Sequence, residues 1–255
     1  MCLILFAYQR HPRFQLILAA NRDEFYDRPT APLDFWADYP QVLAGRDLAQ
    51  QGTWLGVTRQ GRLAAITNYR DPKHIKPDAP SRGHLVSNFL TGTLPASAYL
   101  QEVSAVAGDY NGFNLLVGDR HGLFYLSNRG GPPRALIPGL YGISNHLLDT
   151  DWPKTRRGKT GLAQAIAAQD ELSSEKLFSL LADQALAPDD QLPDTGVPRE
   201  WEKMLSAIFI TSPHYGTRSS SVLLMDKEGG VRFEERTWVP AVDAPQAQSD
   251  RQYQF

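Results

Sequence analysis

Cys2 is the single cysteine in a chain of 255 residues, and it directly follows the initiator methionine. One cysteine excludes an intrachain disulfide and any multi-cysteine metal site. What it allows is nucleophilic chemistry. Methionine aminopeptidase removes the initiator when residue two is small, and cysteine qualifies, so the expected mature chain begins with Cys2. That residue would carry a thiol and a free α-amine on one carbon. The amine titrates near ~7.7–8.0 and the thiol near ~8.5, so one group serves as base for the other at neutral pH. The plainer reading is a small buried hydrophobe at a strand start.

Polar residues elsewhere are candidates to support such a nucleophile. Asn21-Arg22-Asp23-Glu24 ends an otherwise apolar run, Phe14 to Ala20. Met1 to Tyr8 is apolar apart from the Cys2 thiol, and Arg10-His-Pro-Arg13 reads as the turn between the two. An antiparallel hairpin then brings Cys2 and residues 21–24 to one sheet edge. A carboxylate there, Asp23 or Glu24, holds the amine by a charge-assisted hydrogen bond. Arg22 favours the thiolate and grips a carbonyl or carboxylate. Regular alternation sends Asn21 and Asp23 to one side and Arg22 and Glu24 to the other, but residues 21–24 are expected to turn, which leaves the carboxylate open. Asn68 and Asn145 each follow an apolar strand and are candidate oxyanion donors. Arg218, leading the strand after Tyr215-Gly-Thr, is a candidate second anion-binding group. The six histidines (11, 74, 84, 121, 146 and 214) form no HExxH or HxxxH pair, and neither a Gly-rich phosphate loop nor a GxSxG elbow occurs.

These residues need positioning elements. Hairpins are expected at 54–68, 113–127 and 219–236, with short strands at 140–145 and 207–211. Helical periodicity covers 81–90, 96–107, 154–168 and 174–184, with a short helix around 199–205. Residues 26–52, holding three prolines, read as a long loop or lid. Residues 243–254 read as a polar, frayed tail. Strands apolar on both faces yet antiparallel by connection imply two packed sheets with helices outside each. The expected fold is therefore α+β, a four-layer α-β-β-α sandwich of two antiparallel sheets. Residues 1–242 form its single domain and 243–255 the tail.

Hydrophobic residues make up 42% of the chain and the formal charge is −2, so no basic footprint points to nucleic acid. No run reaches the roughly 18 apolar residues of a membrane span, and no leader pattern precedes Leu3 to Ala7. A cytoplasmic protein acting on a small-molecule substrate or ligand, without nucleic acid or an integral membrane segment, is expected.

Met-Cys2-Leu-Ile, Asn21-Arg22-Asp23-Glu24-Phe, Gly45-Arg-Asp with Gly52-Thr-Trp-Leu-Gly-Val, Thr67-Asn68-Tyr-Arg, Gly142-Ile-Ser-Asn145 with Trp152-Pro-Lys, and Tyr215-Gly-Thr-Arg218-Ser-Ser together resemble the NRDE family, also called the transport and Golgi organisation protein 2 family. The resemblance runs from residue 1 to about 225. It implies a layout similar to the cysteine branch of the N-terminal nucleophile (Ntn) hydrolases, in which the N-terminal Cys attacks an amide. By that resemblance the catalytic set is Cys2, Arg22, Asn68 and Asn145, with Asp23 or Glu24 in the Asp role and Arg218 as a looser match. Hydrolysis of a linear amide then requires no cofactor. The family's links to haem trafficking and to lipid or acyl-CoA metabolism imply an alternative, a non-enzymatic carrier of haem or a lipid-like ligand on the same fold. Cys2 or a histidine would ligate haem iron, without covalent attachment, since CxxCH is absent.

Overall fold

The computed structural model describes residues 2–167, 172–239 and 246–255. In chain order its strands and helices are β1 (Cys2–Tyr8), β2 (Phe14–Phe25), β3 (Thr30–Phe35), β4 (Val42–Asp47), β5 (Leu55–Thr58), β6 (Leu63–Asn68), α1 (Gly83–Thr91), α2 (Ala96–Val106), β7 (Phe113–Asp119), β8 (Gly122–Ser127), β9 (Arg134–Ala135), β10 (Gly139–Ile143), α3 (Pro153–Ala167), α4 (Ser174–Leu181), α5 (Arg199–Met204), β11 (Tyr215–Asp226), β12 (Val231–Val239) and β13 (Gln246–Gln254). The chain divides into two compact units, one of residues 1–27, 138–144 and 148–255, the other of 28–137 and 145–147.

The first unit is built on a six-stranded antiparallel sheet in the order β10-β1-β2-β11-β12-β13. Helices α3 and α4 cover one face, packing Leu162, Leu177, Phe178 and Leu181 on Leu3, Leu5, Ile17, Ala19, Val222 and Leu224. The alternate residues Ile4, Phe6, Leu18 and Leu223 are buried as well, as the doubly apolar pattern of the first two strands requires. Ser173 caps α4, its hydroxyl accepting from the Lys176 N–H, which satisfies one of the helix's orphan donors. Glycines set the closeness of α3. A Cβ at Gly158 would stand 2.6 Å from Leu5 Cδ1, and one at Gly142 would stand 2.6 Å from Thr155 Cγ2.

The second unit holds a seven-stranded antiparallel sheet running in sequence order from β3 to β9. Helices α1 and α2 cover one face, with Leu85, Phe89, Leu100 and Val103 on Val42, Ala44, Ala64, Ile66, Leu115 and Val117. Leu43, Val57, Leu63, Ala65 and Leu116 are buried too. Each unit thus contributes one antiparallel sheet and one helical layer, and the class is α+β.

Four local expectations are corrected. Residues 26–52 are not a lid: they contain β3 and β4. Pro32 sits where the register shifts between Ala31 and Asp34 on the edge strand β3, one of the few sheet positions that tolerate proline. Residues 207–211 form no strand, although Ala207, Ile208 and Ile210 are buried. The tail is not frayed from 246 onward, because β13 pairs with β12 from Arg232↔Gln254 to Val239↔Gln246. Residues 243–245 lie outside the described residues. A strand so polar suits a sheet edge, where backbone pairing needs no apolar face and charge discourages further pairing; Arg236 Nε meets Asp250 Oδ1 at 3.1 Å there. Finally, residues 21–24 are not a turn but continue β2 to Phe25.

Candidate functional site

That continuation decides the geometry around Cys2. Strand β1 pairs with β2 from Cys2↔Arg22 to Tyr8↔Leu16. On the other side of β2, Arg22 pairs with Ser219, Asn21 with Ser220, and Asp23 with Thr217. Directly opposed residues of an antiparallel pair share a face. Cys2, Arg22 and Ser219 therefore form one row across three strands. Asn21, Asp23, Ser220 and Thr217 lie on the opposite face, the one that α3 and α4 cover. Alternation, undisturbed, separates the two carboxylates: Asp23 goes to the helix side and Glu24 to the Cys2 side.

Cys2 is half-buried. Burial pushes its thiol above the ordinary 9.0, against the pull of the N-terminal ammonium; the Asp23 carboxylate adds to the rise, while the Arg22 guanidinium and a hydrogen bond from the Asp23 backbone N–H oppose it. Asp23 thus acts on the thiol through both its backbone and its charge. Its side chain is 1% exposed, and its Oδ1 accepts from Thr217 Oγ1 at 2.8 Å. Burial pushes the carboxyl above 3.8, and the strongest force in the other direction is the ammonium of Lys154.

Arg218 is the extra residue of a β-bulge, since the register of β11 on β2 shifts between Thr217 and Ser219. Bulges re-aim a side chain and are common beside active sites. Its Nη1 donates to Phe25 O at 2.9 Å. Burial, then the Arg22 guanidinium, lowers its pKa, with Glu24, Tyr26 and Asp27 acting in the opposite sense. Arg22 and Arg218 are thus close enough to repel, an arrangement that suits an anionic or carbonyl oxygen held by two forks.

Asn21, a neighbour in the cluster, is a clamp. Its Nδ2 donates to Leu181 O and Ile208 O, each at 2.9 Å, and its Oδ1 accepts from Ser220 Oγ at 2.6 Å. The next link is Trp238 Nε1, which donates to Ser220 Oγ at 2.9 Å. Ser219 differs: its buried Oγ has no hydrogen-bond partner among the described residues.

Of the residues singled out from the sequence, Cys2, Arg22, Asp23 and Arg218 come together in the first unit. Asn68 and Asn145 come together in the second, where Asn145 Nδ2 donates to Asn68 O at 3.0 Å and the Arg70 N–H donates to Asn145 O at 2.7 Å. Sequence reasoning missed Lys154, Thr217 and Ser219. For Lys154 a signal existed: it stands at i, i+4, i+8 with Gly158 and Leu162, a lysine on the stripe that packs against the sheet. For Ser219 none did, because its pairing depends on the bulge.

The fold and this end of the sheet define an α+β protein in which a half-buried cysteine lies in register with a buried arginine, with a buried carboxylate one residue along on the other face. The sequence profile of the family Transport and Golgi organisation 2 matches residues 1–240, and the chain belongs to that family. The Transport and Golgi organization 2 homolog of Mus musculus is 38% identical over 257 residues, covering 93% of each chain. The Homo sapiens homolog is 39% identical with the same coverage, and the Drosophila melanogaster protein is 30% identical, covering 93% of this chain and 92% of its own. Among solved structures, the Caenorhabditis elegans N-acylethanolamine-hydrolyzing acid amidase ortholog aligns with a TM-score of 0.46 at 11% identity, covering 88% of this chain and 92% of that one. Among the described residues no helix is long and apolar enough to cross a membrane.

Proposed function

We propose that the protein is an N-terminal cysteine amidohydrolase that cleaves a linear carbon–nitrogen amide bond in a small molecule, with Cys2 as nucleophile once Met1 is removed. The observation that carries the reading is the register of β1 on β2, which sets Arg22 beside Cys2 and brings the backbone and charge of Asp23 to bear on its thiol. In the first step the thiol proton passes to the α-amine and Sγ attacks the carbonyl carbon. The carbonyl oxygen takes up the negative charge, for which the Arg22 guanidinium is a fixed donor. Collapse breaks the C–N bond as the α-ammonium protonates the leaving nitrogen. Water then hydrolyses the thioester, releasing the acid and restoring the thiol. Asp23 orients the amine, and Arg218 adds a second guanidinium for an anionic part of the substrate. The chemistry requires no cofactor, and a reducing compartment such as the cytoplasm keeps the lone thiol usable.

The test combines intact mass with turnover of a panel of N-acyl amides carrying a fluorogenic amine. The expected result is a chain lacking Met1 that hydrolyses at least one amide, and complete loss of turnover in Cys2→Ala. Turnover that survives in Cys2→Ala, or in protein that retains Met1 throughout, would sink the reading.

A further inference from the structure

The geometry points to Lys154 as a positioning residue: its buried ammonium holds Asp23 as a carboxylate, and Asp23 in turn holds the α-amine of Cys2. The inference rests on the reading of Cys2 as an N-terminal nucleophile.

Gly158 on α3 packs directly on Leu5 of β1. Two residues toward the start of β1, Leu3 lies on the same face and pairs with Asn21; Asp23 is the next residue of β2 on that face. One turn toward the start of α3 from Gly158 stands Lys154. A helical turn advances about 5.4 Å and two strand residues about 6.8 Å, so the two paths keep step, and a four-carbon stem starting at residue 154 reaches past Leu3 toward Asp23. Both side chains are 1% exposed. A carboxyl buried that deeply protonates unless a counter-charge is near, and the Lys154 ammonium is the largest influence keeping Asp23 ionised. Other titratable groups acting on Asp23 include the chain's N-terminal ammonium, the Cys2 thiol of β1, Glu24 on its own strand, and the Tyr26 hydroxyl; Arg22 acts on the thiol, and the Thr217 hydroxyl donates to the carboxylate from β11.

The pair has a chemical consequence. When the thiol gives its proton to the α-amine, the ammonium formed needs an acceptor, and ionised Asp23 supplies one. Without Lys154 the buried carboxyl takes up a proton and that acceptor is lost.

The test follows alkylation of Cys2 by iodoacetamide, read by intact mass, from acid to alkaline pH in wild type, Lys154→Met, Asp23→Asn, the double variant and Lys154→Arg, with thermal melts of each. Lys154→Met is expected to slow alkylation roughly tenfold at neutral pH, the thiolate change for one pKa unit, and to converge with wild type in alkali. Asp23→Asn slows it equally, the double variant no further, and Lys154→Arg restores the wild-type profile. In the melts the double variant stands above either single variant, because neither group is then buried without the other; that comparison needs only the double variant to fold well. An unchanged alkylation profile in Lys154→Met, independent slowing in the Asp23→Asn background, or a double variant melting below both singles each overturns the inference. Met1 retention or absence of amide turnover would instead count against the nucleophile reading and leaves the melt comparison intact.

Discussion

The two units bury polar side chains at strand ends in different chemical currencies. In the first, the end of the sheet around Cys2 buries full charges, with Arg22 at 5% exposure and Asp23 and Lys154 at 1%. In the second, the buried cluster is built mainly of neutral amides. Asn114 Nδ2 donates to Thr67 Oγ1 at 3.0 Å and to His146 O at 2.9 Å, and its Oδ1 accepts from Tyr125 Oη at 2.7 Å. Asn145 joins Asn68 in the same region. A buried amide with its bonds made is close to neutral for stability and fixes register. Buried charges cost several kcal/mol of desolvation each and are common where a titrating group must be tuned. The amide cluster fits a role in holding strands, and the ionic one a role in setting protonation.

The largest effect expected from this contrast is on stability. Asp23→Ala leaves the Lys154 ammonium buried without its carboxylate, a loss of about 3–5 kcal/mol. Asn114→Ala removes three hydrogen bonds, one of them from the buried Tyr125 hydroxyl, a loss of about 2–3 kcal/mol. Urea unfolding of the two variants measures both. If Asn114→Ala proves the more costly, the ionic cluster is not the more demanding of the two.

Much of this arrangement is legible in the sequence. Apolar runs flanking Arg10-His-Pro-Arg13 give the β1–β2 hairpin and hence the pairing of Cys2 with the polar cluster. Two-faced apolarity gives sheets buried on both sides, and helical periodicity gives α1 to α4 within a few residues. What escaped reading was set by tertiary context. Polar Asn21–Glu24 looks like a turn, yet it stays extended because Ser219, Ser220 and Thr217 of β11 pair with it, a partner nearly two hundred residues away. Prolines disguised β3, where the edge position absorbs the missing donor. Polar residues 246–254 look unstructured because an edge strand needs no apolar face. Ile208 and Ile210 look like a strand but fill the core as irregular chain, their segment held by Asn21 Nδ2 on Ile208 O and by Thr217 Oγ1 accepting from the Ile210 N–H at 2.9 Å.

A sharper comparison lies between two adjacent serines of β11. Ser220 Oγ joins Asn21 to Trp238, so Ser220→Ala is expected to cost about 1–2 kcal/mol. Ser219 Oγ, buried on the Cys2 face with no hydrogen-bond partner among the described residues, contributes no such bond, and Ser219→Ala is expected to stay within about 0.5 kcal/mol. In the proposed reaction Ser219→Ala changes KM for a substrate that Arg22 holds more than it changes stability. Equal destabilisation by the two substitutions would mean that Ser219 is part of the clamp and not of the site.

The smallest expected effect separates the two regions by sign. Burial raises Asp23 above 3.8 and lowers His146 below 6.5. Folded protein therefore holds the Asp23 proton more tightly than the unfolded chain does, so the contribution of Asp23 falls as pH rises above 3.8 through its folded value. It holds the His146 proton less tightly, so that contribution falls as pH drops through 6.5. Asp38, Asp71 and Asp189, lowered below 3.8 by hydrogen bonds from Arg46, His74 and Lys203, are ionised in both states through most of this range. His11, lowered by burial and by Lys227, adds to the slope on the acid side from the first unit, so the comparison is made between variants and not between units. Urea midpoints measured against pH should show Asp23→Asn removing a fall toward neutral pH and His146→Gln removing a fall toward acid. An unchanged slope in Asp23→Asn would mean that Lys154 fully offsets the burial of Asp23, and a slope of the same sign as in His146→Gln would mean that it more than offsets it.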